Sequence, residues 1–430
     1  MTGPLLLTAR WVVGHVDGRH CLYPNGEIVV SGDRVVFVGP GYEGPVARRI
    51  DYGNALIGPG FVDLDALSDL DTTVLGYDNQ PSWKKGRIWP ETYMESGPFE
   101  MYSEEELAFQ KRYAFSRLIR SGITTALPIA SLFYREWGET VGEFTAAAEA
   151  ARDLVRHDGT IDYHFDEERG FKGLADAIAF CHRFEGEAGG LIHTMFAPDR
   201  IETCTPDLLK RSAAAAEELD VPIRLHCCQS PFEYQSVLKL RGMSPAEWLE
   251  SLGFLSPRAI LPHGTHVSGR NGIDRPGRDL EILRDGGGTI AHCPLVSARH
   301  GNALQSFRKY RDMGIRIGLG TDTYPPDMFL NMQVGMMLCR IEEGGTDGCR
   351  SEDFYDAATL GGADALNRPD LGRLQAGAMA DLIVVDFDDP FMGQTIDPIQ
   401  TLMQNASAQS VKTVMINGRF VMEDGVIPGV

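Results

Sequence analysis

The feature that most constrains this chain is a recurrence in its middle: short apolar runs, each ending in a histidine or an aspartate. They are Ile223-Arg224-Leu225-His226, Ala259-Ile260-Leu261-Pro262-His263, Thr289-Ile290-Ala291-His292 and Arg316-Ile317-Gly318-Leu319-Gly320-Thr321-Asp322. Helix signals separate strand-like runs along this region. Ser103-Glu104-Glu105-Glu106 reads as a capping box opening a helix with Leu107, Ala114, Phe115 and Leu118 on its apolar side. Gly122 ends that helix, and Ile123-Thr124-Thr125-Ala126-Leu127 follows as a strand. Thr205-Pro206 supplies an N-cap and a first-turn proline for a helix reaching about Leu219. Ser244-Pro245-Ala246-Glu247 caps another, stopped by Gly253. Strand and helix in alternation, with buried strands, predict a parallel sheet. In a (β/α)8 barrel the C-terminal strand ends form one face, so the terminal histidines and aspartates converge there.

Both chain ends read differently. Residues 5–57 and the runs Ala380–Asp386 and Val411–Arg419 are short apolar segments joined by turn signals. The expected architecture is therefore α/β: a (β/α)8 TIM-like barrel over 58–371, with a small β-sandwich domain built from both termini, 1–57 and 372–430. One region is anomalous. The helix near 141–155 should lead into a third strand, yet only Val155-Arg156-His157-Asp158-Gly159-Thr160 precedes a polar stretch. Either that strand is degenerate or the sequence lacks residues there.

Composition narrows the function. A chain of 430 residues with 43% hydrophobic residues supports a large core. Sixty acidic against 40 basic residues give a net charge of −20, which argues against a nucleic-acid or anionic-membrane partner. The N-terminus has no basic leader, and no apolar run reaches a membrane span. The eight cysteines are scattered apart from Cys227-Cys228. Reduced thiols in a cytoplasmic protein are the simplest expectation.

The stretch Leu56-Ile57-Gly58-Pro59-Gly60-Phe61-Val62-Asp63-Leu64-Asp65-Ala66-Leu67 reads as an opening barrel strand. Leu371–Asp386, with Val414-Met415-Ile416-Asn417-Gly418-Arg419 after it, reads as the return to the β domain. Taken in order with the histidine-ended strands, these motifs resemble the amidohydrolase superfamily, in particular its cytosine-deaminase and chlorotriazine-hydrolase branch. The resemblance implies that His226 and His263 are metal ligands on the fifth and sixth strands. It implies that Asp322 contacts the metal and shuttles the proton of the attacking water, and that His292 contacts substrate.

Four departures stand against that pattern. Asp65 and Leu67 occupy the places of the first-strand His-x-His, and Leu67 cannot ligate a metal. The fourth-strand Pro-His is Pro198-Asp199. The fifth-strand His-x-x-Glu is His226-Cys227-Cys228-Gln229, an amide in place of a carboxylate. No lysine stands out for the carbamate of two-metal relatives.

The residues that remain are chemically coherent. Two imidazoles and one or two carboxylates suit one divalent metal, zinc first and iron second, with a position left for water. Asp65 is the expected fourth ligand, or else a buried hydrogen-bonded carboxylate. Gln229 can orient substrate or water but has no useful pKa. Acid–base work then falls on Asp322, assisted by His292, with Glu233 one helical turn beyond Gln229 as a reserve acid. Glu233, Asp199 and Trp89 complete the expected substrate contacts. Trp89 closes the segment Trp83-Lys84-Lys85-Gly86-Arg87-Ile88-Trp89, which is either a lid or ordinary surface. The acidic string Asp65, Asp69, Asp71 is either a cation site or a solvated loop, and Cys227-Cys228 reads as packing, with a redox-active or metal-binding pair as the alternative. His266 and His300 are loop residues within possible reach of substrate.

The expected function is metal-dependent hydrolysis of a C–N or C–halogen bond in a small heterocyclic or amide-like compound. The expected assembly is a homodimer or higher homo-oligomer. The alternatives are a lyase, isomerase or metal-independent hydrolase on the same fold, or a non-catalytic binding protein.

Overall fold

The computed structural model describes residues 3–67, 104–129, 165, 167–305 and 307–430. The segment Trp83–Trp89, with Asp69 and Asp71, the cap at Ser103 and the anomalous third-strand region lie outside the described residues.

The N-terminal strands are β1 (Leu5–Val16), β2 (Arg19–Ser31), β3 (Arg34–Gly39), β4 (Arg48–Asp51) and β5 (Ala55–Pro59). Asp17 and Gly18, with φ of 50° and 79°, turn β1 into β2. An Asp-Gly pair tolerates that left-handed backbone, which matches the twist of the strands it joins. Asn417 and Gly418 do the same between β13 (Val411–Ile416) and β14 (Arg419–Met422). The two chain ends meet because β5 pairs in parallel with β1 and antiparallel with β12 (Leu382–Asp386). One eight-stranded sheet results, ordered β14-β13-β12-β5-β1-β2-β3 with β4 also on β1. β5 bridges the N- and C-terminal strands edge to edge, so both chain ends build one β domain. Alternation divides its side chains. Leu5, Leu7, Val12, Ile28, Ile57, Leu382 and Val384 form one core, while Val13, Leu56, Ile383 and Val385 join the larger core of the rest of the chain.

The central region alternates as its sequence predicts. It runs β6 (Phe61–Leu67), α1 (Glu104–Arg120), β7 (Ile123–Ile129), α2 (Glu167–Phe184), α3 (Pro206–Leu219), β8 (Ile223–Arg224), α4 (Pro231–Arg241) and α5 (Pro245–Leu252). It continues through β9 (Ala259–Pro262), α6 (Asp279–Gly286), β10 (Thr289–His292), α7 (Pro294–Arg299), α8 (Phe307–Asp312), β11 (Arg316–Leu319), α9 (Met328–Glu343) and α10 (Ser351–Asp356). A last helix, α11 (Pro398–Asn405), precedes β13. Thr205 caps α3, Ser244 and Glu247 form a full capping box on α5, and Gly253 ends α5 in the left-handed conformation. On α1, Ala114 and Leu118 are buried, but Phe115 is 40% exposed and faces away from the core.

β8 to β11 pair in parallel in sequence order, and β6 pairs in parallel with β7. Asp322 N donates to Asp65 O at 2.8 Å, which ties the end of β11 to β6. Asp63 strengthens that tie by accepting from Thr321 N at 3.0 Å and Thr321 Oγ1 at 2.6 Å. On the other side, Phe196 bridges Ile223 and Arg200 bridges His226. The strand ends carrying the chemistry therefore lie side by side.

The expectation of eight reduced thiols is corrected at one pair. Cys339, near the end of α9, and Cys349 form a disulfide with Cα atoms 6.1 Å apart. The helix stops at Gly344, and the chain turns back to bring both buried sulfurs together. The other six cysteines form no disulfide. No helix among the described residues is long and apolar enough to cross a membrane.

Candidate active site

Asp65 lies on β6, His226 and His263 just beyond β8 and β9, His292 at the end of β10, and Asp322 just beyond β11. All but Asp322 are essentially buried. The backbone bends where the strands end. Asp199, Cys228, His263 and Asp322 all have positive φ, at 72°, 59°, 77° and 43°. Non-glycine residues adopt this region at a cost, and such strain gathers where side chains must be aimed. Gly320 is needed for a different reason: a Cβ there would stand 2.7 Å from Asp65 Cβ and 2.9 Å from Cys293 Sγ.

Two overlapping groups emerge. One ligand atom each from Asp65, His226 and His263 lie within 4.8 Å of one another, and the same holds for His263, Cys293 and Asp322. His226 Nε2 is 3.8 Å from Asp65 Oδ2, and His263 Nε2 is 3.8 Å from Asp322 Oδ2. His226 Nδ1 lies 2.8 Å from Asp199 O. A carbonyl only accepts, so Nδ1 carries the proton and Nε2 presents its lone pair toward Asp65. His263 Nε2 is buried with no hydrogen-bond partner among the described residues. Burial, then the Arg200 charge, holds His226 well below the usual imidazole range. Burial, then His226, does the same for His263, and burial lowers His292 to about 3. All three rings are therefore neutral near pH 7, the form that ligates.

The carboxylates are held differently. Asp65 is pushed up to about 6, chiefly by burial, with Arg224 opposing and Asp63 adding to the shift. Arg224 Nη1 is 3.3 Å from Asp65 Oδ1, with both side chains fully buried. The same guanidinium donates to Leu127 O at 2.8 Å and Pro128 O at 3.1 Å on β7. Cys293 Sγ donates to Asp65 Oδ2 at 3.7 Å, and burial raises that thiol well above its ordinary range.

Gln229 is partly buried, and its Oε1 accepts from Arg200 Nη1 at 2.6 Å. Glu233 turns back onto the loop, accepting from Cys228 N at 2.6 Å and Gln229 N at 2.9 Å. Burial, then Glu202, raises Glu233 to about 8. Cys227, Cys228 and Glu233 form a further buried cluster. Asp199 holds His226 through its backbone oxygen, and its carboxylate is 3.9 Å from Arg200 Nε. Trp89 lies outside the described residues. Sequence reasoning passed over Arg224, Arg200, Asp63 and Cys293. For Arg224 there was a signal: it is a charge inside an apolar run, two residues before His226, and alternate strand residues share a face.

Comparison with known proteins places this geometry. The sequence profile of the Amidohydrolase family matches residues 68–421. The chain belongs to the Amidohydrolase family. A 5-methylthioadenosine/S-adenosylhomocysteine deaminase of Halobacterium salinarum is 27% identical over 422 residues, covering 95% of this chain and 92% of the relative. A 5'-deoxyadenosine deaminase of Methanococcoides burtonii is 26% identical, covering 93% and 88%. Among solved structures, an adenosine deaminase from Xanthomonas campestris with bound zinc aligns with a TM-score of 0.79 at 20% identity, covering 99% of this chain and 94% of that one. Atrazine chlorohydrolase from Arthrobacter aurescens TC1, complexed with zinc, aligns with a TM-score of 0.76 at 20% identity, covering 99% and 97%. The family read from motif order is borne out, and the reading as a hydrolase of non-peptide C–N or C–halogen bonds agrees with these relatives.

The side chains of this amidohydrolase fit a metal. The donor set contains two neutral imidazoles, one with an orphaned buried nitrogen, and two carboxylates at 3.8 Å from them. Those separations are close to what two ligand atoms, each at about 2.0–2.2 Å from zinc, require.

Proposed function

We propose that this amidohydrolase hydrolyses a C–N or C–halogen bond of a small heterocyclic compound, using one divalent metal held by His226, His263, Asp322 and Asp65. The supporting fold reading is a (β/α)8 barrel over 58–371, with a β domain from 1–57 and 372–430. The observation that carries the function is the buried, unpartnered Nε2 of His263 beside Asp322, next to the His226–Asp65 pair. Zinc is the expected metal, and a homo-oligomer the expected assembly. When bound, the metal supplies Lewis acidity and lowers the pKa of water to about 7.

The chain's own residues do the rest. Asp322 takes the proton from the attacking water at its carboxylate and passes it to the leaving group. His292, neutral and buried at the end of β10, faces the substrate and orients it. Gln229 positions substrate or water and moves no proton. Glu233 acts through Gln229 by fixing the loop that carries it. The loss of an acid at position 229 favours leaving groups that need little protonation, such as halide or an activated heteroaryl substituent.

Turnover of matched amino- and chloro-substituted heterocycles by wild type and Gln229→Glu tests this. Wild type should favour the chloro compounds, and Gln229→Glu should shift preference toward the amino compounds and change the pH–rate profile. Unchanged preference and profile would place Gln229 outside the reaction centre, and no turnover in either series would refute the hydrolase reading.

A second reading has its own observation. Arg224 already binds one oxygen of Asp65, so Asp65 has a partner without a metal, which favours diverged, metal-independent chemistry. Full activity after exhaustive chelation would select it.

A further inference from the structure

We propose that Arg224 is a positioning residue for the metal centre: it holds one oxygen of Asp65, so that the carboxylate offers the metal its other oxygen alone. The proposal rests on the one-metal reading above. A carboxylate can bind a metal through one oxygen or through both, and one that is free to turn does either. At Asp65 the two oxygens have different surroundings. Oδ1 faces Arg224 Nη1 at 3.3 Å. Oδ2 faces the ligand set, 3.8 Å from His226 Nε2, and accepts from Cys293 Sγ at 3.7 Å.

The rest of Asp65 is already fixed. Its N–H donates to Asp63 Oδ1 at 3.1 Å, and its carbonyl accepts from Asp322 N at 2.8 Å. Gly320 packs so closely that a Cβ there would stand 2.7 Å from Asp65 Cβ. With backbone and Cβ settled, the freedom left is rotation of the carboxylate about the Cβ–Cγ bond. A cation beside Oδ1 restrains that rotation. Such preorganisation removes ordering cost from binding.

Arg224 is itself anchored well enough to do this. Nη1 donates to Leu127 O at 2.8 Å and Nη2 to Pro128 O at 3.1 Å. Bonds through two nitrogens of one planar group set the direction of that plane, which a lysine ammonium could not match. The main chain of Arg224 donates to Phe196 O at 2.8 Å and pairs with Ile260 on β9. His226 follows two residues later, so one run of chain delivers a ligand and the group that orients another. The two members of the His226–Asp65 pair are then supported alike. An imidazole ligand is oriented by what its second nitrogen meets, and His226 Nδ1 meets Asp199 O. Arg224 does for the oxygen ligand what Asp199 O does for the nitrogen ligand. An ion pair that only fastened β6 and β7 to β8 would have no such bearing on the metal, and that difference is measurable.

The test is a double-mutant cycle on the zinc affinity of the full-length protein, read by competition with a chromophoric chelator. It compares wild type, Arg224→Met, Asp65→Leu and the double variant. Arg224→Met should weaken zinc binding about 10–100-fold. Once Asp65 is leucine, Arg224→Met should weaken it no further, because the arginine acts through that carboxylate. Arg224→Lys keeps the charge without the planar grip and should lose part of the affinity. The visible absorption of the cobalt-loaded protein is a second readout that needs neither apolar variant to fold: Arg224→Lys should alter the wild-type spectrum, since the coordination by Asp65 changes. A cobalt spectrum unchanged in Arg224→Lys overturns the proposal. So does a loss of zinc affinity from Arg224→Met that is equal with and without Asp65, which is the mark of general distortion. A wild type that binds zinc but shows either result refutes the positioning role alone, whereas a wild type that binds no zinc refutes the one-metal reading and this proposal with it.

Discussion

Arg224 carries a guanidinium to a place where neither it nor Asp65 keeps any exposed surface. Two charges in that setting are held by their ion pair at 3.3 Å and by the two β7 carbonyls that Arg224 reaches. Removing one partner leaves the other uncompensated. Arg224→Met should therefore lower unfolding stability by about 3–5 kcal/mol in denaturant melts. The double variant Arg224→Met/Asp65→Leu should recover much of that loss, since apolar groups replace both charges; no recovery would show that the pair is not coupled. Asp322 sits at the other limit, accessible enough to exchange protons and 3.8 Å from His263. Asp322→Asn keeps the size and removes the base. Its turnover should fall about 10²–10⁴-fold, with substrate binding much less affected. Near-wild-type turnover would end the proposed proton route.

At the scale of elements, signals with local causes were legible in the sequence. Thr205, Ser244 and Gly253 cap helices because a hydroxyl accepts from a first-turn N–H and a glycine takes the left-handed backbone, and both are local chemistry. Ser244 also hydrogen-bonds Asp279 at the start of α6. Ser244→Ala should accordingly cost about 1–2 kcal/mol in unfolding stability, and no change would mean that α5 is held by packing alone. The placement of His226, His263, His292 and Asp322 at neighbouring strand ends followed from the same reading, because parallel strands align their C-terminal ends. Long-range information was not legible. β8 was expected to span four residues and has two, because His226 N and Cys227 N bond to Asp199 O and Pro262 O while the strand ends. Phe115 was expected inward and faces outward, since which stripe of α1 is buried depends on its packing partners. The joining of the two chain ends depends on β5 pairing with strands from both. Arg200 near Gln229 and Arg224 against Asp65 are tertiary contacts that no spacing rule encodes.

Across the whole molecule, the terminal sheet and the central region meet at His20. Its Nε2 is 3.0 Å from Thr359 Oγ1, whose own proton goes to Tyr355 O at 2.7 Å. Neutral His20 therefore donates across this junction. Burial, then His15, depresses its pKa to about 3, even with Asp356 3.9 Å away. A base depressed in the folded state contributes stability that is fully present above its unfolded pKa of about 6.5 and is lost as pH falls toward the folded value. Melting temperature should decline as pH drops from about 6.5 toward 3, and His20→Gln should show a shallower decline over the upper part of that window. Identical slopes would mean that this junction does not titrate on unfolding. The central claim is that the strand ends of this amidohydrolase hold one divalent metal. Elemental analysis of the protein, purified without added metal and then equilibrated with zinc and desalted, measures it directly, with His263→Ala alongside. The account predicts about one zinc per wild-type chain and almost none in a folded His263→Ala variant; a wild type that retains no metal, or a variant that retains it in full, contradicts the account.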